Sequence, residues 1–266
     1  MNRIDARFEQ LRRDGRKGFV AFITAGDPTL ATTIELAKAF DAAGVDVLEL
    51  GVPFSDPLAD GVVNQRAAER ALRNNVSLAD VLDSVRTIRS TSEIPIVLFT
   101  YINPVMHFGL EAFPEVARDA GVDGILALDY PPEESAAFRA SLDEHGLRMV
   151  QLIAPTTPPE RMRMLAGAST GFIYYVSRTG VTGMRDAVEG SVRPMVERIK
   201  SYSDKPVAVG FGISTPAQVA QVAQSADGVV VGSAIVQRVE DNAGRSDLVA
   251  RVTAFVEELT APLRSV

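Results

Sequence analysis

Eight short apolar runs, separated by longer stretches with helical periodicity, constrain this chain more than any other feature. The runs lie at 18–24, 46–50, 95–100, 124–128, 147–153, 171–176, 206–210 and 227–231. A continuous apolar run of this length reads as a strand buried on both faces. Helical spacing fills the gaps, for instance at 30–42, 76–88, 114–120, 132–144 and 192–199. Strand and helix in alternation imply parallel strands joined by crossover helices. Eight such units in 266 residues predict an α/β fold, the (β/α)8 TIM barrel. Two extra helices are expected, an N-terminal one over 2–13 and a C-terminal one over 246–263. An open doubly wound sheet is the alternative, but no GxGxxG fingerprint follows the first run.

A short pattern marks several strand starts. It is a small residue, then Asp, then an apolar run: Ala43-Gly44-Val45-Asp46-Val47-Leu48, Ala120-Gly121-Val122-Asp123-Gly124-Ile125-Leu126 and Ala226-Asp227-Gly228-Val229-Val230-Val231. Gly after a helix suits a left-handed C-terminal cap. No Pro/Gly/Ser-rich linker or shift of composition divides the sequence, so residues 1–266 are expected to form a single barrel domain.

Composition removes several classes of function. A net charge of −7 with no Lys/Arg stripe argues against a nucleic-acid partner. The absence of cysteine excludes disulfides, thiolate metal sites and a cysteine nucleophile. No apolar stretch approaches ~18 residues, and the N-terminus lacks the apolar run of a signal peptide. A cytoplasmic protein with no membrane association is expected.

In such a barrel the active site lies at the C-terminal ends of the strands. The second run ends at Glu49, and the loop after it carries Asp56 and Asp60. The third ends near Tyr101, Asn103 and Pro104, and the sixth leads through Tyr174, Tyr175, Ser177 and Arg178 into Thr179-Gly180-Val181-Thr182-Gly183. The seventh ends in Gly210-Phe211-Gly212-Ile213-Ser214 and the eighth in Gly232-Ser233. The last three ends together read as a phosphate cradle, because glycine lets backbone N–H groups approach an anion closely. No basic side chain stands beside them, so backbone amides would carry the binding. The plainer alternative is that these glycines only make tight turns.

The second loop holds the chemistry. A carboxylate in the last turn of a buried strand is costly without a partner or a task. Glu49 paired to an arginine across the barrel is one structural alternative. Asp60 as N-cap of a helix starting near Val62 is another. Asp56, before Pro57, reads as a turn or surface residue. Two carboxylates converging on one pocket suit proton transfer, one kept near neutral and the other ionised. The four lysines, Lys17, Lys38, Lys200 and Lys205, lie away from predicted strand ends, which disfavours a Schiff-base aldolase. His107 in a loop and His145 near a helix end are the only histidines, so no metal site is expected. Carbon–carbon chemistry would then run on carboxylates alone, on a substrate that accepts its own electrons.

These motifs closely resemble the tryptophan synthase α subunit over nearly the whole length. The resemblance rests on Ala25-Gly26-Asp27-Pro28, Glu49-Leu50-Gly51-Val52-Pro53-Phe54-Ser55-Asp56-Pro57-Leu58-Ala59-Asp60-Gly61, Tyr101-Ile102-Asn103-Pro104, Ala154-Pro155-Thr156-Thr157, Ser177-Arg178-Thr179-Gly180-Val181-Thr182-Gly183 and Gly210-Phe211-Gly212-Ile213-Ser214. It implies a lyase that splits indole-3-glycerol phosphate into indole and glyceraldehyde 3-phosphate in tryptophan biosynthesis, with Glu49 and Asp60 as the catalytic pair. Phe22, Tyr174 and Phe211 would line the indole side. Thr182, Gly183, Gly212, Gly232 and Ser233 would hold the phosphate, with Tyr101 and Gly210 completing the substrate-binding set. Arg178 and Thr182 would gate the site by closing over the second loop. The partner would be a pyridoxal-phosphate β subunit in an α2β2 heterotetramer, with Asp56, Asn103 and Pro104 facing it and no cofactor in this chain. Val62, Asn64, Tyr130 and His107 depart from the family pattern. A phosphosugar isomerase, an FMN-binding oxidoreductase of the same fold and a non-catalytic regulatory barrel are the competing readings.

Overall fold

The computed structural model describes residues 1–177, 185–210 and 212–264, with side chains of 185–191 left aside. The first half runs α1 (Arg3–Arg13), β1 (Gly18–Thr24), α2 (Leu30–Ala42), β2 (Val47–Gly51), α3 (Val62–Arg73), α4 (Leu78–Arg89), β3 (Ile96–Thr100), α5 (Ile102–Phe108), α6 (Phe113–Ala120) and β4 (Gly124–Ala127). The second half runs α7 (Ala136–Glu144), β5 (Arg148–Met149), β6 (Gln151–Ile153), α8 (Pro159–Ala168), β7 (Ile173–Val176), α9 (Arg185–Lys200), β8 (Val207–Gly210), α10 (Pro216–Ala223), β9 (Gly228–Val231), α11 (Ser233–Asp241) and α12 (Leu248–Thr260), closed by a 3-10 turn at Ala261–Leu263.

All strand pairs are parallel, in the order β5-β4-β3-β2-β1-β9-β8-β7-β6. The predicted fifth strand, 147–153, is one extended segment divided in two. Its first part pairs with β4 (Ile125 with Met149) and its second with β7 (Gln151 with Ile173). At the division Val150 N–H still donates to Ile125 O at 2.9 Å, while Met149 O accepts from Thr170 N–H at 2.9 Å. The segment thus hands over from one neighbour to the other and closes the barrel.

Strand parity builds two separate cores. Phe19, Ala21, Ile23, Leu48, Leu50, Ile96 and Leu98 point outward onto the helices. Val20, Val47, Val97, Leu126, Val150, Phe172, Ala208 and Val230 fill the barrel interior, and Ile4, Phe8 and Leu11 of α1 belong to the same cluster. The N-terminal helix therefore plugs the base of the barrel. Its Asn2 cap accepts from Ile4 N–H at 2.9 Å, an ordinary helix start.

The recurring Asp has a common structural task. Asp46 accepts from Phe19 N–H (2.8 Å), Asp123 from Ile96 N–H (2.8 Å) and Asp227 from Val207 N–H (2.9 Å). Each carboxylate preceding one strand satisfies the first amides of the strand before it. Each also meets a cation: Arg7 at 3.4 Å, Arg89 at 2.7 Å with Arg3 at 3.1 Å, and Lys200 at 2.8 Å. These pairs ring the end of the barrel opposite the strand C-termini.

Several expected boundaries change. The helix expected over 132–144 starts only at Ala136, because Pro131 to Glu134 forms a turn closed by Glu134 N–H to Pro131 O. His107, expected in a loop, lies with Asn103 and Pro104 in α5, where Pro104 falls in the first turn and removes only an amide without an intrahelical acceptor. The N- and C-terminal helices are present as α1 and α12.

Candidate active site

Inward-facing positions at the C-terminal ends of the strands bring together Phe22, Glu49, Phe99, Tyr174, Gly210 and Gly232. Phe22 is in register with Glu49 across β1 and β2, and Gly51 with Phe99 across β2 and β3. The Phe22 and Phe99 rings meet edge to face at 5.0 Å. Phe99 was absent from the sequence-based site. The signal was there in its i, i+2 relation to the inward Val97.

Glu49 is 1 % exposed, and its Oε1 has no hydrogen-bond partner. The alternative of an arginine pairing across the barrel finds no support: no cation among the described residues contributes to its ionisation. Burial alone pushes its carboxyl up to about 8. Tyr174 lies close enough that burial, reinforced by any charge on Glu49, holds its phenol well above the usual range. A carboxyl in this setting is neutral near pH 7 and ready to donate a proton.

Asp60 behaves differently. It does not cap α3; Gly61 occupies that position and supplies no side chain. Instead Asp60 Oδ2 accepts from the Tyr101 hydroxyl at 2.9 Å, and the same hydroxyl accepts from Ala59 N–H at 2.9 Å. One phenol thus holds two consecutive residues of the loop after β2. Phe54 packs on the Tyr101 ring at 5.2 Å, and Gln65 Nε2 donates to Asp60 O at 2.8 Å. Asn64 Nδ2 lies 3.5 Å from Asp60 Oδ1, and Asn64 Oδ1 is buried without a partner. Burial raises the Asp60 carboxyl, while Tyr101 and Asn64 draw it back down. The two acids therefore sit in unlike surroundings.

The predicted phosphate cradle divides into parts. The start of α10 is already occupied, because Thr215 and Gln218 cap each other's backbone and Gln218 Oε1 also accepts from Ser214 N–H at 2.8 Å. The start of α11 differs: its cap, Gly232, offers no side chain, and no side chain among the described residues bonds there. A helix start with free amides suits an anion. Gly212 is exposed with φ +72°, in the left-handed region. Gly210 has another role: a Cβ there would lie 2.5 Å from the Tyr174 hydroxyl and 2.9 Å from Val230 Cβ. Its missing side chain makes room for Tyr174.

Asp56 is exposed and accepts from its neighbour Ser55 at 2.7 Å, as a turn residue would. Asn103 is exposed and Pro104 half-buried on α5. Arg178, Thr182, Gly183 and Phe211 lie outside the described residues. Of the residues departing from the family pattern, Val62 is exposed at the start of α3, and the Tyr130 ring meets that of Phe138 at a tilt, 5.9 Å between centroids. Among the described residues no group of three or more His, Asp or Glu is placed to hold a metal ion, and no helix is long and apolar enough to cross a membrane. A cavity of about 830 Å³ lies at the α1 end, lined by Phe8, Arg16, Lys17, Lys205 and Asp227 among others. It is remote from both acids and is no part of this site.

Known proteins resemble this chain over nearly its whole length. The family model described as tryptophan synthase alpha chain matches residues 8–264. The tryptophan synthase alpha chain of Geobacter sulfurreducens is 51% identical over 259 residues, covering 97% of this chain and 98% of that one. That of Opitutus terrae is 48% identical over 262 residues, covering 98% of each. Among solved structures, tryptophan synthase subunit alpha from Legionella pneumophila superposes with a TM-score of 0.92 at 38% identity, covering 100% of both chains. With its TIM barrel and near-complete coverage by these relatives, the chain belongs to the tryptophan synthase alpha chain family.

Proposed function

We propose that this chain, acting as one barrel domain over residues 1–266, cleaves indole-3-glycerol phosphate to indole and glyceraldehyde 3-phosphate, with Glu49 and Asp60 as its catalytic pair. The observation that carries the assignment is the buried, unpartnered Glu49 carboxyl at the strand ends. Neutral Glu49 donates its proton to ring carbon 3. Asp60, whose charged form the Tyr101 hydroxyl bonds, accepts the indole N–H and stabilises the protonated ring. The bond between carbon 3 and the glycerol chain then breaks, and its electrons return to the ring. Glu49 takes the proton of the adjacent glycerol hydroxyl as the aldehyde forms, so it ends protonated as it began. Two acids in unlike surroundings, one without a partner and one bonded by a phenol, suit such a shuttle.

Phe22 and Tyr174 shape the indole side, with Tyr101 and Gly210 framing them, and Phe211 is assigned there on the family resemblance. The free start of α11 at Gly232 and Ser233 supports a phosphate site, to which Gly212, Thr182 and Gly183 are added. Arg178 and Thr182 gate it. In this reading the chain needs no cofactor and acts in the cytoplasm. It joins a pyridoxal-phosphate β subunit as α2β2 through a face including Asp56, Asn103 and Pro104.

The test is indole release from indole-3-glycerol phosphate by the purified chain, with and without a β subunit. Glu49→Gln should lower turnover at least ~10²-fold, the scale of a lost acid–base group. Near-normal turnover by that variant refutes the assignment.

A further inference from the structure

We propose that Arg70 is a positioning residue, which with Asp27 and Glu240 fixes the height of the Asp60-bearing end of α3 against the phosphate-facing end of α11. The proposal rests on the functional reading above. Arg70 grips the buried Asp27 with both arms of its guanidinium, Nε to Oδ1 at 2.7 Å and Nη2 to Oδ2 at 2.8 Å. Its remaining nitrogen, Nη1, reaches Glu240 Oε1 on α11 at 2.9 Å. Glu240 is held a second time by Arg66, whose Nε and Nη2 lie 2.9 and 2.8 Å from its two oxygens. Arg66 also reaches Gln237 Oε1 at 3.1 Å. Three elements meet in this cluster: the loop after β1, α3 and α11.

The position of the cluster along the helices gives it its meaning. Asp60 precedes α3 by two residues, and Arg70 lies eight residues into that helix from Val62, or about 12 Å at 1.5 Å per residue. Glu240 lies seven residues beyond Ser233 on α11, or about 10 Å. The ion cluster thus stands at nearly equal depth below both helix starts. Val63, Ala67 and Arg70 follow one stripe of α3, as do Ser233, Val236 and Glu240 on α11. Between the ions and the helix starts the contact is a small apolar cluster of Phe22, Ala67 and Val236, flanked by Val63 and Phe99. Ala67 against Val236 offers few interlocking atoms to resist sliding. The contact of Arg70 with Glu240, made from a guanidinium anchored on Asp27 by two bonds, supplies the register that this thin layer lacks. A substrate with its ring at Asp60 and its phosphate at Ser233 is sensitive to that register, whereas a ligand held only at the phosphate end is not.

Glu240→Gln tests this, because Glu240 is partly exposed and the Asp27–Arg70 pair remains to support the fold. Two probes are titrated on the full chain. One is an unreactive analogue with an indole ring joined through three carbons to a phosphate. The other is glycerol 3-phosphate. Affinity for the spanning analogue and kcat/KM on the substrate should each fall ~10-fold, as sub-ångström misplacement does at a distance. Affinity for glycerol 3-phosphate should stay within ~2-fold on the same reasoning, since its own donors are untouched. Unchanged binding of the analogue overturns the proposal, and so does an equal loss of both ligands. The functional reading fails separately, if the unsubstituted chain binds the analogue yet releases no indole.

Discussion

The two ends of the barrel use the same residue types for opposite purposes. At the base, Asp46, Asp123 and Asp227 each bond a strand amide and each meet an arginine or lysine. At the mouth, Glu49 has neither among the described residues. Asp46 and Glu49 are three residues apart on either side of the start of β2, and both are buried. The partner set, not the burial, separates a carboxylate that holds the fold from one kept for chemistry. A satisfied carboxylate is costly to strip of its partners; an unsatisfied one costs stability and is retained only where it does something.

Cross-substitution is the strongest way to break this contrast. Glu49→Gln should remove turnover while leaving the melting temperature unchanged or higher. Asp123→Ala should do the reverse. It strips a bond from Ile96 N–H and leaves Arg89 without its carboxylate. Arg89 keeps carbonyl contacts to Gly121 and Ile94, so the loss should sit near the low end for a broken buried pair, ~3 kcal/mol. For a chain of this size that is roughly 6–12 °C in Tm. Thermal melting and turnover at 20–25 °C, well below the transition, separate the two outcomes. A stable Asp123→Ala chain with lost turnover would dissolve the distinction between base and mouth.

The second way uses pH. Burial raises the Glu49 carboxyl from its ordinary 4.5 to about 8. Below 4.5 it is neutral both folded and unfolded, and no penalty exists. Between 4.5 and 8 the unfolded chain ionises it and the fold does not, so its contribution to stability is lost steadily as pH rises, levelling off above 8. At ~1.4 kcal/mol per unit, the loss from pH 5 to 7 is on the order of 2–3 kcal/mol. Glu49→Gln abolishes this slope. The Tm of the variant minus that of the parent should therefore grow from pH 5 to pH 7, while the common titrations at Asp46 and Asp123 cancel. A flat difference would mean that Glu49 is already ionised in the fold.

The base of the molecule was more legible in the sequence than the mouth. The repeated Gly/Ala-Asp-apolar pattern marks strand starts because it is local, though its use, capping the preceding strand, needs the neighbour in place. The hand-over at Val150 could not be read, since barrel closure depends on Ile125 and Thr170, both about 20 residues away or more. Glu49 stood out because a charge within an apolar run is visible without tertiary structure. Asp60 is marked by its motif, but its partner is not legible locally. Asp near a helix start reads as a cap, and the hydroxyl that in fact holds it comes from Tyr101, 41 residues on. His107 reads as a loop residue because proline at a helix start and proline in a loop, as at Pro104, look alike locally.

The smallest expected effect tests how the mouth keeps its two acids apart. Tyr101→Phe removes one oxygen, which now donates to Asp60 and accepts from Ala59 N–H. The ring and its contact with Phe54 remain, so the stability loss should be about 1 kcal/mol, the net worth of a hydrogen bond. Burial already raises Asp60, and the Tyr101 bond is the larger of the two contacts lowering it. Without that bond Asp60 must take up a proton at higher pH. The acidic limb of the kcat/KM profile should move upward by up to ~1 unit, since ~1.4 kcal/mol of differential bonding corresponds to one unit. The limb set by Glu49 should stay, because Tyr101 does not contribute to its ionisation. If both limbs moved together, the acids would be coupled and the mouth would titrate as one unit. If neither moved, the ionised group in catalysis would not be Asp60.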